Sequence, residues 1–85
     1  MGEAIDWRDA KYDETFEEEL RGLERRRARD PDCSVADIEA TLRHLRTLDG
    51  SDHGGRGSVQ EIYMAASIAA HELFISRWKA ELGGA

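Results

Sequence analysis

The stretch from Ser58 to Leu82 constrains this chain more than any other, because it is apolar on two sides at once. Laid out at 100° per residue, Val59, Ile62, Tyr63, Ala66, Ala69, Ala70 and Leu73 share one face. Met64, Ile68, His71, Ile75, Trp78 and Leu82 share a second face, roughly 120–160° round from the first. Glu61, Ala65, Glu72, Ser76 and Lys79 remain for water. A helix patterned this way cannot sit at an edge; both faces need covering.

Two shorter segments precede it. Val35, Ile38, Leu42 and Leu45 form a single apolar stripe opposite Asp37, Arg43 and His44. Tyr12, Phe16, Leu20 and Leu23 form a narrow stripe, extended back to Ile5, on an otherwise charged segment. Residues 1–33 hold 18 of the charged residues and the remaining 52 hold 12, so the first helix is mostly solvated. No alternating Val/Ile/Thr run suggests a strand.

Punctuation separates the three. Pro31 drives Asp30 out of the α region and ends the first helix. Ser34-Val35-Ala36-Asp37 and Ser58-Val59-Gln60-Glu61 both read as capping boxes. Asp49-Gly50 reads as the stop of the second helix. Asp6 is the preferred N-cap of the first, with Asp13 the alternative. The expected fold is an all-α three-helix bundle with helices over about 6–29, 34–48 and 58–82. Helix 3 is central, helices 2 and 3 form a hairpin, and residues 1–5 and 83–85 fray.

An 85-residue chain allows one small domain. Only sixteen residues are Leu, Ile, Val or Phe, just under the roughly 20% level at which disorder becomes a serious alternative. These large apolar groups are concentrated in helix 3, so assembly is the expected remedy. Two short helices cover about one and a half faces of the third. The remainder is expected to meet a second copy, giving a homodimer through Met64, Ile68, His71, Ile75 and Trp78.

Several functions are disfavoured by chemistry. Eighteen acidic residues against twelve basic leave no basic surface for nucleic acid. Arg25, Arg26 and Arg27 point three ways round a helix and suit its C-terminal dipole better than a phosphate patch. The longest nearly apolar run, Ile62 to Ala70, is far short of a membrane span, and Met1–Trp7 has no secretory character. Asp6 stands where a myristoylation motif needs Ser or Thr. A lone thiol, Cys33, offers no disulfide and points to a reducing, cytoplasmic setting.

The loop before helix 3 is a candidate binding site. Read from Asp49 as a calcium loop it fails, with His53 and Gln60 at ligand positions. Gly54, Gly55, Arg56, Gly57 and Ser58 could instead cradle an anion at a helix N-terminus. The pattern lacks the Gly-Lys-Ser/Thr of a phosphate loop, and a plain interhelical connection explains the glycines better. His44, His53 and His71 have no ligand partner at helical spacing, and Cys33 has no His or second Cys nearby in sequence. No metal, cofactor or catalytic residue is expected. The leading functional expectation is a non-enzymatic helical interaction, adaptor or regulatory protein. The alternatives are anion or nucleotide binding at the loop, and an acidic inhibitor or antitoxin-like partner of a basic protein.

Overall fold

The computed structural model describes residues 7–51 and 58–83. Among them are three α-helices and no strand: α1 (Trp7–Arg29), α2 (Val35–Ser51) and α3 (Ser58–Gly83). Asp6, offered as the first cap, lies outside the described residues.

The α1–α2 turn is built by local chemistry. The Asp30 amide donates to the Arg26 carbonyl (2.9 Å), and the Cys33 amide to the Asp30 carbonyl (3.0 Å). The Asp32 amide donates to the Asp30 side chain at 3.0 Å, so that carboxylate holds the turn around Pro31. The Ser34 capping box is complete. The Asp37 amide donates to Ser34 Oγ (3.3 Å), and the Ser34 amide donates to Asp37 Oδ2 (2.9 Å).

α2 runs three residues past its expected end. Gly50 stays in the right-handed region and does not adopt the left-handed form that closes a helix, so the helix continues through it to Ser51. α3 runs one residue further than expected, through Gly83.

α3 packs against both other helices, while α1 and α2 make no backbone approach to one another. Cross-helix pairs define the directions. Lys11 lies over Tyr63, Glu19 meets Ser67 and Arg27 meets Glu81, so α1 runs parallel to α3. Arg46 meets Glu72 and Glu39 meets Lys79, so α2 runs antiparallel to α3, as a hairpin requires. This register leaves a mismatch. The 17 residues of α2 lie beside the C-terminal two-thirds of the 26-residue α3. Near the N-termini of α1 and α3 the described structure is two helices thick.

The core lies at the three-helix end. Leu23, Cys33, Ile38, Leu42, Phe74, Ile75 and Trp78 form one buried cluster, with Leu20, Val35 and Ile68 packed on it. Ile38 is fully buried, as its place in the α2 stripe predicts. The chain is elongated, 47 × 32 × 22 Å, with a radius of gyration of 14.9 Å where a compact 85-residue domain has about 12 Å.

Part of the face expected to meet a second copy is already buried within the chain. His71, Ile75 and Trp78 are 5–8% exposed and are covered by their own chain. Met64 and Ile68 are half-buried. The reason is the hairpin: the α2 stripe needs large side chains opposite it, and this face of α3 supplies them.

Candidate functional site

Gly54, Gly55, Arg56 and Gly57 lie outside the described residues. Ser58 is the first residue of α3. Three other places in the molecule bring functional groups together.

The first is a polar cluster at the α1–α3 seam. The Ser67 hydroxyl donates to Glu19 Oε1 at 2.6 Å. His71 is 5% exposed, and its Nδ1 lies 2.7 Å from the Ser67 carbonyl. A carbonyl only accepts, so Nδ1 carries the hydrogen. A serine, a histidine and a carboxylate thus sit together, but in the wrong order for nucleophilic catalysis. The imidazole contacts the serine backbone and not its hydroxyl, and the carboxylate holds that hydroxyl directly. The cluster satisfies polar groups between packed helices. Sequence reading singled out His71 but not Glu19 or Ser67, since nothing local marks a residue one turn from the partner it will meet on another helix.

The second is a shallow groove of about 320 Å³ lined by Glu24, Arg27, Ala28, Phe74, Arg77, Trp78 and Glu81. Arg27 is its centre. Its guanidinium stacks 4.1 Å from the Trp78 ring centroid and makes two bonds to Glu81, at 2.8 and 3.2 Å. That contact holds the Glu81 carboxyl below the usual carboxylate range. Phe74 meets Trp78 edge to face at 5.6 Å. Arg27 is thereby committed to α3, while Arg25 and Arg26 point elsewhere and are exposed. Phe74 fell between the two sequence-defined faces of α3; the structure puts it at their junction, buried.

The third is the two-helix end. Trp7 is 53% exposed, Val59 44% and Tyr63 43%. The Lys11–Tyr63 contact sets the register, so Trp7 and Val59 lie one turn back on their respective helices. Lys11 Nζ sits 4.9 Å from the Tyr63 ring centroid, and Arg8 sits 5.8 Å from the Trp7 ring. Hydrogen bonding and charge interaction with Tyr63, and to a lesser degree Glu14, raise the Lys11 ammonium above its ordinary value. Tyr12 and Phe16, half-buried, stack at 6.4 Å below this end. Thr15, 3% exposed, lies one turn from each of Lys11 and Glu19, between the Lys11–Tyr63 and Glu19–Ser67 contacts. Its Oγ1 is buried without a hydrogen-bond partner.

Among the described residues, no three His, Cys, Asp or Glu side chains converge as metal ligands would. None of the described helices is long and apolar enough to cross a membrane. Cys33 is a free thiol buried in the core cluster. Comparison with protein-family models, with curated proteins and with solved structures finds no match.

Proposed function

We propose that this chain is a small non-enzymatic helical interaction module whose working surface is the two-helix end. One observation carries the reading: Trp7, Val59 and Tyr63 are large, exposed and in register on adjacent helices, at the end where α2 does not reach. Surfaces of this kind mark sites of association more often than sites of chemistry. The Glu19–Ser67–His71 order supports the same choice, because the imidazole contacts the Ser67 backbone and not its hydroxyl.

Self-association is the second reading. It is favoured by Met64 and Ile68, which are half-buried and lie on the α3 face that α2 covers further along. A homodimer would then form through this end and not through Ile75 and Trp78.

The test is a pull-down from source cells with the wild type and with Val59→Glu/Tyr63→Glu, alongside sedimentation of both. The proposal expects an association, with a partner or with a second copy, that the double variant loses and Leu82→Glu keeps. Retention by the double variant, or a wild type that is monomeric and captures nothing, contradicts it.

A further inference from the structure

We infer that the α3-facing row of α1 is a register lock: one leucine set between two charges holds α1 on α3 in a single position. Lys11, Thr15, Glu19, Leu23 and Arg27 follow one another at intervals of four residues and form one row along the helix. The described contacts of α1 with α3 run through this row. Lys11 lies over Tyr63, Glu19 accepts from Ser67, and Arg27 holds Glu81 and stacks on Trp78. Leu23, 7% exposed, is the one member of the row in the buried cluster.

A row of this composition is a poor source of stability. The Arg27–Glu81 pair is largely exposed, and pairs of that kind contribute little. Thr15 is buried with no partner for its hydroxyl. What the row supplies is discrimination. A one-turn slide of α1 toward the C-terminus of α3 would put Glu19 in the place of Leu23. The opposite slide would put Arg27 there. Either brings a charge into a cluster that holds Phe74, Ile75 and Trp78, which costs far more than the exposed contacts contribute. Both slides also part Arg27 from Glu81, and the second brings it level with Arg77, one turn back on α3. The alanines of α3 cannot make this choice, since Ala66 and Ala70 are alike, fully buried and one turn apart. The register in turn shapes the two-helix end: a slide of about 5.4 Å would carry Trp7 away from the level of Val59. The lock lies within the chain, so it stands or falls independently of what that end binds.

Solution NMR of the full chain reads the register from two contacts, the Lys11 side chain with the Tyr63 ring and the Arg27 side chain with the Trp78 ring. The wild type is expected to show both, with one set of amide signals. Glu19→Leu gives the row a second leucine one turn earlier and so opens a second register. It should keep its helicity by circular dichroism and show a second set of α1 amide signals, roughly a tenth of the total or more. The Arg27–Trp78 contact should be missing from that set. Glu19→Gln keeps a polar group at this position and should show one set. Exchanging the two residues in Glu19→Leu/Leu23→Glu should move the whole population, so that Lys11 meets Ser67 instead of Tyr63. One set of signals with both native contacts in Glu19→Leu overturns the lock. A second set in Glu19→Gln overturns it too, because a polar group at 19 would then not exclude the slide. Loss of helicity in Glu19→Leu does the same, making Glu19 a determinant of folding and not of register. The two single variants decide the question even where the exchanged pair fails to fold.

Discussion

Residues 67–83 and 58–66 of α3 belong to one continuous helix and keep different company. The first stretch carries Phe74, Ile75 and Trp78 into a cluster with side chains from α1 and α2. The second has α1 alone beside it among the described residues and leaves Val59 and Tyr63 in water. The same apolar richness thus does two jobs. Where two helices converge on α3 most of it becomes core, although Leu82 near its C-terminus stays exposed. Where one does, it becomes surface. Helix length decides which, since α2 stops about nine residues short of the α3 N-terminus in the antiparallel register.

Substitutions should feel this difference most in the core. Ile38→Ala and Phe74→Ala remove fully packed side chains and should each cost about 2–5 kcal/mol, enough to unfold much of a domain this small. Val59→Ala at the other end should cost under about 1 kcal/mol. Urea unfolding midpoints compare them directly; similar costs at both ends would erase the distinction.

Thr15 stands at the boundary between the two regions. Its hydroxyl is buried without a partner, so Thr15→Val keeps the shape and removes an unsatisfied group. The variant should be more stable by about 1 kcal/mol in thermal or urea unfolding. A loss of stability would mean that the hydroxyl has a partner, such as a bound water, and that the seam is polar there.

The smallest effect belongs to the exposed pair that closes the three-helix end. Arg27 lowers the Glu81 carboxyl in the folded state. Its contribution is therefore present above the ordinary carboxylate range and disappears as the pH falls through the lowered value. Glu81→Gln should flatten the acid side of the stability profile slightly and leave the order of events unchanged. An unchanged acid limb would remove the pair from the account.

Much of this was legible beforehand, for physical reasons. Capping chemistry and proline geometry are local, so the Ser34 box and the Pro31 break could be read from a few residues. Periodicity is local too, and the α2 stripe and the two-faced α3 followed from it. Which helix covers which face is not local. Periodicity leaves the face of Met64, Ile68, His71, Ile75 and Trp78 open to any cover, because the sequence does not state that the α2 stripe lies along part of it. Cys33 stands beside the Pro31 break with nothing in the sequence to mark it as core, yet the turn folds it into the core. Glu19 and Ser67 became a pair only through the parallel packing of α1 on α3. The exposed Trp7, Val59 and Tyr63 depend on where α2 ends, and Gly50 misled that reading by remaining helical.

Residue-resolved native-state hydrogen exchange tests the central claim most directly, because it measures the stability of each end in one experiment. Amides at 20–29, 36–46 and 68–80 should exchange only on global unfolding. Amides at 11–16 and 62–66 should exchange through lower-energy local opening. Uniform global protection along α1 and α3 in the free chain would contradict the account, since the two-helix end would then be as well supported as the core.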